Sequence, residues 1–325
     1  MANSRFLTGI AAVSIAALAA DSVPRVIREG DTSNLYPIAH LANGLKFSHG
    51  AFVCADMVLG RFYTLSRNGD LLASWKLEEP DDAEYHISDF DRFSDGSIVA
   101  AALPSPYVDV SPFLAFLSPD GKTKRIVRTG AYFPQHVVVA SDGTVWTLGH
   151  EMIQGNAKDP ALDPNAGILR QFSRSGSPMA SALPQGNFRA PRELARISSG
   201  KLFAVRDRLG WYSDVGGESR YVEITTDTIE QHVFPGLPKL ASARMWGGQI
   251  EGVAATVGGE VMVAVDNGGR KGRLVFLFDR ANSQWIPLDV PPIGGYSFTP
   301  RLLGADGDDV VFESALSAGF FRLVR

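Results

Sequence analysis

A two-strand unit that recurs along the chain limits its fold more than any other feature. One copy is FPQHVVVASDGTVWTLGHE, residues 133–151, in which two runs of β-branched and apolar residues flank Asp142-Gly143. An Asp-Gly pair between two such runs predicts a β-hairpin with a tight turn. Related units occupy residues 89–103, 193–207, 252–266 and 301–314. The recurrence predicts a repeat protein built from hairpins.

The spacing of these units predicts the kind of repeat. The glycines taken to close the inner hairpins lie roughly 50 residues apart, at Gly44, Gly96, Gly143, Gly200, Gly259 and Gly307. Periods of about 40–50 residues with several short strands are typical of β-propeller blades. A second turn follows within the repeats, at Asn68-Gly69, Asp120-Gly121, Ser175-Gly176, Asp227-Thr228 and Asn282-Ser283. We therefore predict an all-β propeller of four-stranded antiparallel blades.

The last repeat needs a strand from elsewhere in the chain. Residues 23–30, VPRVIREG, resemble TKRIVRTG, residues 123–130, which form the outer strand of the second repeat. An unpaired edge strand would expose a row of N–H and C=O groups. We therefore expect this amino-terminal strand to join the last blade and to close a ring of six blades. A seven-bladed ring is the alternative, which the count of repeats does not support.

The first residues have the pattern of a targeting segment. Residues 6–20, FLTGIAAVSIAALAA, are uncharged, and Ala17-Leu18-Ala19 fits the small-x-small cleavage rule. An uncleaved anchor is the alternative, but the run falls short of the ~20 apolar residues that span a bilayer. We predict a signal peptide over residues 1–20 and a single propeller domain over residues 21–325. The mature protein is then periplasmic or secreted, with no stable membrane anchor after cleavage.

Composition excludes some classes of partner. The chain is 45% hydrophobic and 20% charged, with a formal net charge of −4, as in an ordinary globular protein. Nucleic acid is not an expected partner, because binding to phosphates needs a dense basic surface. Cys54 is the only cysteine, so no disulfide forms within the chain. We expect a monomer whose stability comes from a large apolar core.

The repeats resemble a known group of propellers. Proline precedes the hairpin at Pro37, Pro134, Pro191 and Pro300. Proline, a β-branched run, Asp-Gly or Ser-Gly, and a second apolar strand resemble the inner hairpin of NHL repeats. The pattern is also similar to six-bladed propellers of the TolB-like and gluconolactonase kinds. Where NHL repeats usually carry glycine, this chain has Asp89, His136, Glu193 and Gly252.

Ionisable residues recur at matching positions of the blades. Inner strands line the central channel, so these side chains meet although they lie far apart in sequence. We predict His136, Glu193 and Asp207 as candidate catalytic residues and Glu251 and Asp266 as candidate metal ligands. Candidate ligand-binding residues are Asp89, His150, Glu151, Trp211, Trp246, Arg301 and Glu313. The alternatives are ion pairs that only stabilise the channel and tryptophans that pack between blades.

Two functions fit these residues. The first is an exported propeller that binds a small molecule or an extracytoplasmic protein at the mouth of its channel. The alternative is a metal-dependent hydrolase or lyase acting on a lactone, ester or sugar-like substrate, with calcium or zinc as the expected metal. The chain lacks the asparagine-rich calcium-binding set that the gluconolactonase resemblance implies, which favours binding. The sequence leaves the identity of the ligand and of any cofactor unknown.

Overall fold

The structure is a ring of six β-sheets around a central channel. The computed structural model describes residues 25–32, 44–56, 59–77, 85–104, 111–151, 166–182, 201–215, 218–226, 228, 230–237, 249–266, 273–291, 301–314 and 317–324. Each sheet has four antiparallel strands, as the sequence predicts. In the described ranges there is no helix long and apolar enough to cross a membrane.

The blades follow one another along the chain, and each runs from an innermost to an outermost strand. Blade 1 contains β2 (Gly44–Ser48), β3 (Ala51–Asp56), β4 (Arg61–Leu65) and β5 (Leu71–Lys76). Blade 2 contains β6 (Tyr85–Arg92), β7 (Ile98–Pro104), β8 (Phe113–Leu117) and β9 (Thr123–Arg128). Blade 3 contains β10 (Tyr132–Val139), β11 (Val145–Glu151), β12 (Ala166–Phe172) and β13 (Pro178–Ala182).

The other three blades have the same order of strands. Blade 4 contains β14 (Lys201–Val205), β15 (Arg208–Val215), β16 (Glu218–Thr225) and β17 (Gln231–Pro235). Blade 5 contains β18 (Gln249–Ala255), β19 (Val261–Asp266), β20 (Arg273–Asp279) and β21 (Gln284–Leu288). Blade 6 contains β22 (Arg301–Asp306), β23 (Asp309–Ser314), β24 (Ser317–Val324) and, outermost, β1 (Arg25–Thr32).

The predicted closure of the ring is confirmed. Strand β1 pairs antiparallel with β24, from Arg25 opposite Val324 to Thr32 opposite Ala318. The final blade therefore joins the two ends of the described chain in one sheet. Val26 is buried in an apolar cluster that blade 6 shares with blade 5. The amino-terminal strand thus contributes both ladder hydrogen bonds and core packing.

The apolar core is divided among the boundaries between blades. Six clusters of buried side chains are present among the described residues, and each joins two neighbouring blades. Blades 3 and 4, for example, share a cluster that contains Trp146 and Trp211. Each sheet consequently buries both of its faces. This explains why Val, Ala and Phe often occupy successive positions of a strand and do not only alternate with polar residues.

Close approach of the innermost strands requires glycine at two positions. A Cβ atom on Gly252 in β18 would lie 2.0 Å from the carbonyl oxygen of Leu302 in β22. A Cβ atom on Gly304 in β22 would lie 2.1 Å from the carbonyl oxygen of Phe47 in β2. Both separations are far shorter than any real carbon–oxygen contact. Backbone from blades 5, 6 and 1 therefore converges where these side chains are absent.

Two of the predicted hairpin turns are wrong. Gly44 is the first residue of β2, and the turn to β3 is His49-Gly50, with positive φ at both residues (48° and 77°). This combination belongs to the tight turn that suits the twist of a hairpin, whereas Asn43-Gly44 only resembles one in sequence. In blade 4 the inner hairpin turns at Arg206-Asp207, with Arg206 at φ 53°. The predicted turn Ser199-Gly200 lies outside the described residues.

The turn end of the ring, the side on which each innermost strand folds back into the second, carries arginines that link neighbouring blades. Arg67 of blade 1 bonds Asp309 of blade 6 at 2.7 Å. Arg92 of blade 2 donates to the carbonyl oxygen of His49 in blade 1 at 2.6 Å. Further links of this kind join Arg174 to Asp95, Arg206 to the carbonyl oxygen of Gly258, and Arg280 to Glu223. These contacts hold the blades together at this end.

Two substitutions in β1 test the contribution of ring closure to stability. Val26→Ala removes two methyl groups from a site that is 4% exposed, so the free energy of unfolding should fall by about 2 kcal/mol. Ile27→Ala removes a larger group from the adjacent residue, which is 41% exposed, and should change it by less than about 0.5 kcal/mol. Urea unfolding of the two variants measures the difference. Equal losses would show that β1 does not contribute through the core.

Candidate functional site

The innermost strands surround a cavity of about 760 Å³. These strands begin at the leading end of the channel, and every blade contributes at least one ionisable side chain to the lining. We call one residue from each blade the channel ring, namely Lys46, Asp89, His136, Lys201, Glu251 and Arg301; His49, His86, Asp91, Arg206 and Asp306 line the same cavity. Four of the six, namely Asp89, His136, Glu251 and Arg301, are among the candidates that the sequence predicts. The structure therefore brings together residues that are far apart in the sequence, such as Lys46 and Arg301.

Irregularities in the innermost strands aim several of these side chains. The pairing of the first and second strands shifts register between Ile87 and Asp89 in β6 and between Pro134 and His136 in β10. Equivalent shifts occur in β18 and β22. A bulge places two residues opposite one and re-aims the side chains next to it. Asp89 and His136 consequently occupy equivalent positions of blades 2 and 3.

Asp89 is the most heavily engaged member of the channel ring. Lys46 Nζ donates to Asp89 Oδ1 at 2.5 Å, and the Val137 amide donates to Oδ2 at 2.9 Å. His136 Nδ1 lies 3.9 Å from Oδ2, and the side chains of His136 and Asp89 are 9% and 13% exposed. Burial alone would raise the pKa of Asp89, but Lys46, His136 and these hydrogen bonds bring the pKa below its usual value. Asp89 is therefore an anion.

Polar side chains of β6 also satisfy the free edge of β10. The Val139 amide donates to Asp91 Oδ2 at 2.8 Å, and Ser88 Oγ donates to the carbonyl oxygen of Pro134 at 2.8 Å. Together with the bond from Val137 to Asp89, these contacts replace the strand partner that an innermost strand lacks on the channel side. Burial raises the pKa of Asp91. Asp89 and Asp91 therefore have a structural role, because they accept hydrogen bonds from the edge of β10.

Lys201 is a channel-ring residue that sequence reasoning missed. It is the first residue of β14, and among the described residues no carboxylate lies within ion-pair distance of it. Burial lowers its pKa, Asp89 and Glu251 raise it, and the positive charges of Lys46 and Arg301 lower it further, with a net decrease. Lys46 was missed for the same reason as Lys201, since both lie on innermost strands of the two blades whose inner hairpins were misassigned.

Arg301 belongs to the ring, whereas its neighbour Glu313 does not. These residues lie opposite each other in β22 and β23, with Arg301 NH1 3.7 Å from Glu313 Oε2. Glu313 does not line the cavity.

Burial, and then the charge of Glu313, raises the pKa of the Cys54 thiol to about 12, which keeps this thiol protonated and unreactive.

His150 and Glu151 end the second strand of blade 3 and do not line the cavity either. His150 stacks on Phe133, with ring centroids 5.3 Å apart and an interplanar angle of 14°. Glu151 forms an ion pair with Arg170. The structure therefore places these two side chains against blade 3 and outside the lining of the cavity.

Two further predicted positions need correction. Trp211 is 1% exposed in β15 and packs between blades 3 and 4, so it is a core residue rather than an aromatic on a mouth loop. Asp207 lies in the exposed turn after β14 and not at the end of a second strand, because the inner hairpin of blade 4 begins later than predicted. Glu193 and Trp246 lie outside the described residues, as does the side chain of Asp266.

The described residues do not fit a divalent-metal site. In this part of the chain no three His, Cys, Asp or Glu side chains gather in an arrangement that holds a metal ion. Both oxygens of Asp89 already accept hydrogen bonds, and Lys46 neutralises its charge. Asp89 is therefore engaged by protein groups rather than available to a metal ion.

Asparagine substitutions at the two acidic residues of β6 separate their roles. Asp89→Asn removes the anion that pairs with Lys46 and should lower the free energy of unfolding at neutral pH by about 1–3 kcal/mol. Asp91→Asn should cost less, because it removes a charge that burial disfavours and keeps one oxygen acceptor. Urea unfolding at neutral pH compares the two variants.

The pH dependence provides the control for this comparison. Because the folded-state pKa of Asp89 is lowered, its contribution is present above the unfolded-state pKa and is lost as pH falls through the folded-state value. The deficit of Asp89→Asn should therefore shrink in acid. For Asp91, whose pKa is raised, the stabilising contribution is lost as pH rises. An equal loss in both variants at every pH would contradict this assignment.

Comparison with known proteins finds similarity of fold. No protein-family model and no curated protein matches the chain. Virginiamycin B lyase from Staphylococcus aureus is 14% identical with a TM-score of 0.50, covering 93% of this chain and 100% of its own. The calcium-binding protein regucalcin from Agrobacterium tumefaciens is 14% identical with a TM-score of 0.50, covering 89% of this chain and 86% of its own.

A protein from Bacteroides fragilis, whose name describes it as a candidate exported protein, has a TM-score of 0.53. It is 11% identical, and the match covers 94% of this chain and 97% of that one. Identities this low show a shared fold and carry no information on activity. The match spans nearly the whole of both chains, so it includes the full ring. The chain therefore has the fold of the six-bladed β-propellers.

Proposed function

We propose that this protein is an exported propeller that binds a small polar molecule in the leading half of its central channel. The observation that carries the proposal is the channel ring, in which every blade supplies at least one ionisable side chain to one cavity. The volume of about 760 Å³ falls within the roughly 300–1,000 Å³ of small-molecule sites. A concave site with a few convergent polar groups is the usual form of such a site.

The recessed position of the ring favours a small molecule over a protein partner. The side chains of Asp89 and His136 are only 13% and 9% exposed, and that of Lys46 is 35% exposed. Protein interfaces bury surfaces of about 800 Å² on each side, which a recessed ring of this kind does not offer. A small molecule that enters the channel reaches several blades at once.

The enzymatic alternative has less support. A hydrolase or lyase needs a carboxylate or histidine that is available to accept a proton from water or substrate. Asp89 carries a lowered pKa and accepts hydrogen bonds on both oxygens, so it is a poor base. The described residues also do not gather a metal site. The geometry therefore supports binding better than metal-dependent catalysis.

Blocking the channel tests the binding proposal. Val253 in β18 lines the cavity, so Val253→Trp should fill part of it and abolish ligand binding. Val233→Trp places the same side chain on outer strand β17, where Val233 is 56% exposed, and should leave binding unchanged. The measurement is the ligand-induced rise in melting temperature across a panel of sugars, organic acids and amines. A ligand at 100 times its dissociation constant adds about 2.7 kcal/mol of stability.

The same measurements can also contradict the proposal. If Val253→Trp melts like the unmodified protein and responds to the same ligands by the same amount, the ligand does not occupy the channel. If no member of the panel stabilises the unmodified protein, the channel is a structural feature. Gln135→Trp, beside His136 in β10 and also lining the cavity, repeats the test should Val253→Trp fail to fold.

Export is part of the proposal and rests on the sequence of residues 6–20. These residues lie outside the described part of the chain. When the full chain is expressed in a bacterial host, the mature protein should be recovered from the periplasm with its amino terminus just after Ala19 or Ala20. Amino-terminal sequencing identifies the cleavage point. Recovery of the full-length chain from the cytoplasm would contradict the proposal.

A further inference from the structure

We propose that the ligand of the channel carries a carboxylate or phosphate group, which is held between Lys201 and Arg301. The inference rests on the proposed binding function and adds the chemical class of the ligand. It depends on how the charges of the channel ring are already matched within the protein. Lys201 and Arg301 come from blades 4 and 6, on either side of blade 5, and both line the same cavity.

The three cations of the ring have different internal partners. Lys46 is matched, because its Nζ donates to Asp89 Oδ1 at 2.5 Å and to the carbonyl oxygen of Phe90 at 2.6 Å. Arg301 has Glu313 at 3.7 Å, a separation longer than a direct hydrogen bond. Lys201 has no carboxylate within ion-pair distance among the described residues. Positive charge that the protein does not match is therefore concentrated on the side of blades 4 and 6.

The surroundings of Lys201 disfavour the charged form of its side chain. The charged groups that act on it come from four blades and are Lys46, Asp89, Glu251 and Arg301, with His136 completing the ring. Burial and the two other cations disfavour its charged form more than the two carboxylates favour it. An anion bound beside Lys201 would supply the missing opposite charge. Binding should therefore raise the pKa of Lys201 back toward its usual value.

The two side chains are also suited to one anionic group. A lysine ammonium binds a carboxylate or phosphate oxygen as a point charge, while arginine presents a planar fork that can contact two oxygens. Both are the first residue of an innermost strand, so they lie at the same level of the channel. Glu251, on the strand between them, lines the same cavity, so the anionic group must contact the two cations and stay clear of this carboxylate.

Matched acid and amide probes test the inference. Succinate and inorganic phosphate, added separately, should raise the melting temperature of the mature protein, whereas succinamide should not. Lys201→Met should weaken binding of the acids by about 10- to 100-fold, the factor for losing a charge-assisted hydrogen bond. Lys201→Arg, which keeps the charge, should retain more of the affinity than Lys201→Met. Lys122→Met, at a side chain 84% exposed on the rim, is the control and should bind normally.

Proton uptake distinguishes a direct contact from an indirect structural effect. Because the pKa of Lys201 is lowered in the free protein, binding of an acid should take up protons at pH values between its free and bound pKa, and Lys201→Met should abolish this uptake. Titration calorimetry in two buffers of different ionisation enthalpy measures it. The retention of both affinity and proton uptake by Lys201→Met would overturn the inference.

The outcomes also separate this inference from the function on which it rests. If succinamide or a sugar stabilises the protein as well as the acids do, and Val253→Trp abolishes that effect, the channel binds a neutral ligand and the anionic class is wrong. If the acids stabilise Val253→Trp and the unmodified protein equally, they bind outside the channel and both proposals fail. Which of phosphate and succinate binds more tightly identifies the acidic group.

Discussion

The packing of each blade against two neighbours is the constraint on which the rest of the structure depends. Every boundary between blades holds its own apolar cluster, so each sheet buries both faces and none is stable by itself. An open array would leave two such faces exposed to water. Pairing of β1 with β24 removes this cost by completing the sixth blade next to the first. The channel exists because the ring closes.

Closure creates a second demand at the axis. Each innermost strand has a partner on one side only, so its other edge faces the channel with unpaired backbone groups. In blades 5, 6 and 1 the innermost strands approach one another closely at Gly252 and Gly304. Blades 2 and 3 meet this demand with the side chains of Ser88, Asp89 and Asp91, which bond the edge of β10. The same strand positions therefore serve packing in one half of the ring and polar contacts in the other.

The sequence predicts the ring better than it predicts the site. Alternating apolar runs around Asp142-Gly143 and their recurrence specify hairpins, and the likeness of residues 23–30 to an outer strand specifies closure. Asn43-Gly44 has the same signature as a true turn, but the chain turns at His49-Gly50, where a histidine adopts positive φ. Because that turn was placed wrongly, Lys46 was not recognised as a channel residue. A channel position can be identified only when the register of its strand is right.

Trp211 shows a different limit of sequence reasoning. An aromatic residue in a glycine-rich stretch is equally compatible with a mouth loop and with a strand, and only the neighbouring blade decides between them. Trp211 is buried because Trp146 and Val138 of blade 3 form the other wall of its cluster. Such contacts join residues distant in the chain, and no local pattern encodes them. Glu151 is similar, since its partner Arg170 lies on the next strand.

The two ends of the channel differ in what their charges do, and this difference supports a site at the leading end. At the turn end, Arg67, Arg92 and Arg206 bond acceptors on neighbouring blades, so their charged groups are engaged in holding the ring together. At the leading end, Lys201 lines the cavity without a carboxylate partner among the described residues. A buried charge that contributes no internal ion pair lowers stability. Its presence is understandable where a ligand supplies the opposite charge.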